Sequence, residues 1–160
     1  MQIAPIPDLD PEINEIREKT ANIVNHYIVP REEILGSWEH PERPRIFREL
    51  QQHVKSERLW APHLPKEYGG LGIGFMKHAY MNEVLAYSPF SNPIFGVVAP
   101  DSGNQTILIK YGTEEQKKKW LEPLIAGEIR SCFSMTEPDA PGSNPYAIQT
   151  RAGRDGDEWV

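Results

Sequence analysis

Between positions 131 and 144 the sequence reads SCFSMTEPDAPGSN, and these are the residues whose types and spacing could do chemistry. A short apolar-leaning run ends at Thr136, and a loop of Pro, Gly, Ser and Asn takes over. A strand that stops at such a loop holds its backbone N–H and C=O groups in fixed directions, which suits a flat polar ring. The Gly142-Ser143 turn beyond it adds backbone donors and a hydroxyl for an anion. The same residues also make an ordinary connector, because Pro, Gly, Ser, Asn and Asp are what turns use. Residue chemistry alone leaves both readings open.

The other reactive residue types offer less. Glu137 stands beside the loop and is read as a structural carboxylate, hydrogen-bonded to the turn that Pro138 starts. The histidines, at positions 26, 40, 53, 63 and 78, are scattered, and none is assigned to a site. With the single Cys132 they never reach zinc-ligand spacing, so no metal is expected. Cys132 has no neighbouring His or cationic cluster to lower its pKa, and is expected to pack as a small apolar residue. The run Lys117, Lys118, Lys119 reads as a solvated helix face.

Charge narrows the partners. The 160 residues carry a formal net charge of -6, with no dense basic block interleaved with aromatics, which argues against nucleic acid. No apolar run approaches the roughly 18 residues of a membrane span. The opening MQIAPIPDLDPEI shows neither a secretory leader nor an Arg-rich presequence. The expectation is a soluble intracellular protein, cytoplasmic in a bacterial cell and mitochondrial or peroxisomal in a eukaryotic one.

The elements that must position the loop are mostly helical. Asp10 is a plausible N-cap with Pro11 at the first helical position, and Ile13, Ile16, Ile23, Val24 and Tyr27 fall on one face, with Pro30 ending the helix. A second helix follows Pro44, carrying Ile46, Phe47, Leu50 and Val54, and fades near Arg58. Prolines and glycines make residues 60–72 an ordered loop. The third helix places Met76, Ala79, Tyr80, Val84 and Tyr87 on one face and stops before Ser88-Pro89. A fourth spans about 101–110. Thr113 and Gln116 fit a capping box for the fifth, whose buried face is Trp120, Leu121, Leu124 and Ile125 and whose stop is Gly127. Beyond it, 130–135 and 147–152 read as short strands, and 158–160 as the opening of a third after the turn 154–157. A few short strands with an open edge are marginal alone, so they pair elsewhere or the sequence is truncated. The fold class is mainly α: a multi-helix bundle over 1–128, then, over 129–160, the first strands of an incomplete β domain.

The stretch CFSMTEP at 132–138, followed by Gly142-Ser143, resembles the flavin-binding signature of the acyl-CoA dehydrogenase family. Two upstream stretches agree in order and spacing: LPKEYGGLG at 64–72 is similar to the family's loop between its second and third helices, and YGTEEQKKKWLEPLIAG at 111–127 to the helix before its first strand. APDSGN at 99–104 is most similar to the branch that includes the larger multidomain animal members. The sequence departs from the commonest family form, which has one residue fewer between Thr-Glu-Pro and Gly-Ser and an Asp where Asn144 stands.

The resemblance implies a fold of the family's N-terminal helical type, FAD as cofactor and α,β-dehydrogenation of an acyl-CoA thioester to trans-2-enoyl-CoA. It implies that Phe133, Met135 and Thr136 lie against the flavin ring, and that Gly142 and Ser143 close over cofactor and ester, with Ser143 contacting the acyl-CoA. The family's catalytic carboxylate lies beyond position 160, so no residue here is assigned a catalytic role and the 160-residue chain is expected to be inactive alone. Implied partners are the acyl-CoA, an electron acceptor such as a flavoprotein, and further copies of the chain in a homodimer or homotetramer. Two alternatives remain: a non-catalytic helical module that binds a CoA ester or a partner, and an acyl-CoA oxidase or nitroalkane oxidase, which share the signature.

Overall fold

The computed structural model describes residues 1–160, and it is helical up to Gly127. Helix α1, Pro11–Ile23, starts as its sequence requires: the Asp10 carboxylate accepts from Glu12 N–H at 3.1 Å, and Pro11 occupies the first turn, where a missing N–H costs nothing. Pro30 does not end the helical path. The backbone widens into a π turn over Val24–Ile28, tightens into a 3₁₀ turn over Val29–Arg31 and continues into α2, Glu32–Gly36. Pro30 sits at the start of that 3₁₀ turn, where its ring and lost donor are tolerated. Helix α3 spans Arg43–Ser56, and α4 spans Gly74–Leu85. The intervening loop holds one 3₁₀ turn, Lys66–Tyr68. Four further helices follow: α5, Ser91–Ile94; α6, Asp101–Tyr111; α7, Glu114–Gln116; and α8, Glu122–Ala126, joined to α7 by a π turn over Lys117–Leu121.

Both halves of the expected capping box form: Gln116 N–H donates to Thr113 Oγ1 at 3.2 Å, and Thr113 N–H to Gln116 Oε1 at 2.9 Å. Gly127, in the left-handed region with φ of 77°, closes α8. The core joins Ile13, Val24 and Ile28 to Leu35, Val54, Met81, Leu85, Ile94 and Phe95, all essentially without solvent contact. Each such side chain contributes about 1.5–3 kcal/mol relative to exposure.

Three expectations are corrected by packing. Helix α4 has the expected period in a different phase: His78, Met81, Val84 and Leu85 are buried where α4 lies against α1, whereas Met76, Ala79 and Tyr87 face solvent. Trp120 is 49% exposed because only Leu121 and Leu124 turn fully inward. The segments 130–135 and 147–152 are not strands, since a strand exists through its partner and neither has one. The only ladder is a hairpin of β1, Arg154–Asp155, and β2, Glu158–Trp159, antiparallel with Arg154 opposite Trp159.

Helices α4 and α6 and the 60–72 loop meet at a pair of imidazoles. His63 and His78 lie with ring centroids 6.0 Å apart, and His63 Nε2 shares a 2.9 Å hydrogen bond with Gln105 Oε1 of α6. His63 Nδ1 and His78 Nε2 are buried without partners. Burial pushes both pKa values down from 6.5; the Gln105 bond opposes this for His63, and the neighbouring His63 adds to it for His78. The unfolded chain therefore binds protons that the folded chain refuses, so stability is full above pH 6.5 and declines as pH falls below it. Thermal unfolding midpoints should drop from pH 7 to about pH 5, and His63→Gln combined with His78→Gln should flatten that drop. An unchanged slope in the double variant would contradict this assignment.

Candidate functional site

The segment after α8 has no strand partner, yet it is fixed in place by one carboxylate. Asp101, in the first turn of α6, is 5% exposed. Its Oδ1 accepts from Ser131 N–H at 2.8 Å and from Ser131 Oγ at 2.7 Å, and its Oδ2 pairs with Arg130 Nε at 2.5 Å. Asn104, one turn on, donates from Nδ2 to Ser131 Oγ at 2.9 Å. The N-terminal end of a helix favours negative charge, so α6 and its acid suit each other.

From that anchor the chain carries Phe133, Met135 and Thr136. A Cβ built on Gly103 of α6 would lie 3.6 Å from the Phe133 ring, so the ring rests against a side of α6 left open by that glycine. Phe133 is nonetheless 54% exposed and Met135 45%. Gly142 folds back onto Met135: a Cβ there would stand 3.2 Å from Met135 Cγ and 3.4 Å from its carbonyl, so an alanine would force Met135 to move. The hydroxyls of Thr136 and Ser143 are exposed and take part in no hydrogen bond within the chain. The structure thus brings Met135 and Gly142 together and leaves Phe133, Thr136 and Ser143 open to solvent.

Glu137 is structural, with partners other than the expected ones. Its carboxylate accepts from the backbone N–H of Gln149 and Thr150, at 2.9 and 2.7 Å, and from the Thr150 hydroxyl, and so ties the loop to a segment twelve residues on. The Thr150 hydroxyl, then those two backbone donors, hold its carboxyl below the usual carboxylate range. Cys132 is exposed instead of packed, because no neighbouring strand covers it. Beside Ser131 lies an open groove lined by Ile107, Leu108, Trp120 and Ile129, with Asn104 and Arg130 at its polar edge.

Residues 10–128 match the family model described as acyl-CoA dehydrogenase, N-terminal domain. The chain belongs to the acyl-CoA dehydrogenase family. Mouse "Acyl-CoA dehydrogenase family member 10" is 36% identical over 151 residues, covering 88% of this chain and 14% of that protein. Human "Acyl-CoA dehydrogenase family member 11" is 37% identical over 137 residues, 86% of this chain and 17% of its own. A solved structure of a putative acyl-CoA dehydrogenase from Mycobacterium abscessus superposes with a TM-score of 0.81 at 31% identity, covering 99% of this chain and 41% of that one. The chain spans less than half the length of these relatives.

Sequence reasoning missed Asp101, Asn104 and Ser131 as the anchor. The available signal was an acid and an amide at i and i+3 on one face of a helix start, but their partner lies 30 residues away in Asp101's case. Replacing Asp101 by Ala should cost about 1.5–3 kcal/mol of stability, since it removes the hydrogen bonds that its charge strengthens to Ser131 and Arg130. Amide exchange at Ser131 should accelerate more than exchange in α1. Unchanged protection at Ser131 would remove Asp101 from this role.

Proposed function

We propose that this chain supplies the helical wall and the flavin-facing segment of an FAD-dependent acyl-CoA dehydrogenase that forms trans-2-enoyl-CoA from an acyl-CoA thioester. In this reading 1–128 is the helical domain and 129–160 begins a β domain. The observation that carries it is the row of Phe133, Met135 and Thr136: two exposed apolar side chains and a free hydroxyl on a segment fixed by Asp101. A flat, mostly apolar ring with one polar edge fits that row, and the unsubstituted Gly142 against Met135 keeps the loop close to it.

Held by Phe133, Met135 and Thr136, FAD would supply the acceptor for a hydride from the substrate's β carbon. The work of this chain is to bind and orient. Phe133 and Met135 exclude water from one side of the ring, which strengthens the electrostatic interactions beside it. The Thr136 hydroxyl donates to the ring's polar edge, and Ser143 offers a hydroxyl to the thioester ligand. The groove of Ile107, Leu108, Trp120 and Ile129 presents an apolar wall to the acyl portion. Two carboxylates beside that segment, Asp101 and Glu137, are occupied as tethers and hold the chain in place. The chain alone binds FAD weakly and does not turn over, and a further copy of the polypeptide and an electron acceptor complete the enzyme.

The deciding experiment isolates the native polypeptide from its cells and records flavin absorbance per chain, then adds acyl-CoA without oxygen. Stoichiometric flavin that bleaches with acyl-CoA is expected. Thr136→Val and Phe133→Ala should each weaken flavin binding about tenfold, or about 1.4 kcal/mol. A colourless native polypeptide would overturn the proposal.

A further inference from the structure

Away from the flavin-facing row, one side of α3 faces a groove completed by residues 126–130, and its charge is unusual for so acidic a chain. Arg43, Arg48, Lys55 and Arg130 line it, with Glu128 as its one carboxylate. Its volume of about 610 Å³ is in the range of small-ligand sites. The two carboxylates nearest in sequence, Glu42 and Glu49, are engaged on another side of α3, where Arg45 pairs with both. Arg43, Arg48 and Lys55 form no ion pair.

Two of these cations are held by neutral partners, which orients them without cancelling their charge. The Arg43 guanidinium lies 3.9 Å from the centroid of the Trp38 ring, with Nε donating to Leu35 C=O at 2.8 Å. Lys55 Nζ lies 4.4 Å from the Trp60 ring and donates to Ala126 C=O, at the end of α8, also at 2.8 Å. Arg48 is exposed and free, and Arg130 reaches Asp101 through Nε. A pre-oriented arginine head such as Arg43, with donors spread in a plane, matches the paired oxygens of phosphate better than those of a neutral ligand. The whole chain carries a net charge of -6, so this concentration of cations is a local feature of the groove.

We propose that this groove binds a diphosphate-bearing small molecule, with Arg43, Arg48 and Lys55 neutralising the phosphates. Three sources carry that chemistry: the nucleotide end of a CoA ester, the ADP half of FAD and a free nucleoside diphosphate. The groove lacks Phe133, Met135 and Thr136, so the proposal stands or falls separately from the flavin reading.

The test titrates the full chain at low ionic strength with inorganic diphosphate, ADP and CoA, using calorimetry. Saturable binding of diphosphate and ADP with Kd below about 1 mM is expected. Arg48→Gln should weaken it about tenfold, whereas Arg45→Gln, which removes the same charge from another side of α3, should leave it unchanged. Displacement of ADP by CoA supports the CoA nucleotide as the source, displacement by FAD supports the cofactor's ADP half, and ADP binding that neither displaces supports a free nucleotide. Absence of saturable binding, or equal losses in the two variants, would overturn the site. Loss of flavin binding by Phe133→Ala with ADP affinity intact would confirm that the two sites fail independently.

Discussion

The position of the whole candidate site rests on one buried carboxylate. Asp101 is nearly sealed from solvent, and a charge in that setting is tolerable only when its oxygens are filled. Ser131 N–H, Ser131 Oγ and Arg130 Nε fill them, so the cost of burial is offset only when 130–131 lies against α6. This reverses the usual logic of a strand. Ordinarily a ladder fixes the segment and its side chains follow; here a helix N-terminus fixes the segment before any ladder partner is present. Phe133, resting against Gly103 two residues after Asp101, shows the same helix setting both the anchor and the first ring contact.

Helix α6 is itself held by polar ties that run across the bundle. Gln105, one turn after Asp101, accepts from His63 in the 60–72 loop and donates to Leu124 C=O of α8 at 3.4 Å. Trp60 Nε1 donates to Ile125 C=O at 2.8 Å, and Lys55 to Ala126 C=O, so α3 and the loop grip the end of α8 directly. Since α8 leads straight into Arg130, both ends of the Asp101 contact are attached to the same framework. A shift of the loop would be felt at Ser131 through two routes, Gln105 and the α8 terminus, and this explains why the loop needs an ordered conformation.

Helices were legible because their signals are local. Asp10 with Pro11, and Thr113 with Gln116, mark helix starts within four residues of sequence, and all form as read. The phase of α4 was not legible: its apolar residues are spread round the helix, and only contact with α1 selects His78, Met81 and Leu85 as the inward set. The strands over 130–135 and 147–152 failed for the same reason in stronger form, because pairing depends on residues elsewhere. At the site, the hydroxyl of Ser143 was legible from the turn-rich segment that carries it, and it is exposed. Glu137 was legible as structural, yet its bonds go to Gln149 and Thr150, a closure that no local pattern encodes.

The contrast between the two parts of the chain bears on what the exposed row is for. Up to Gly127 the structure is held by apolar burial, whereas from 129 onward only Ala140 is buried and order comes from Asp101, Glu137 and a two-residue hairpin. Polar tethers fix position without removing apolar surface from water. Phe133, Met135, Tyr146 and Trp159 therefore stay exposed on a segment whose backbone is already placed. The favourable free energy of covering them, about 25 cal/mol for each Å² of apolar surface, remains available to whatever docks there. A ligand or neighbouring element that covers this row meets a surface already ordered, so less of that free energy is lost to fixing the chain on binding.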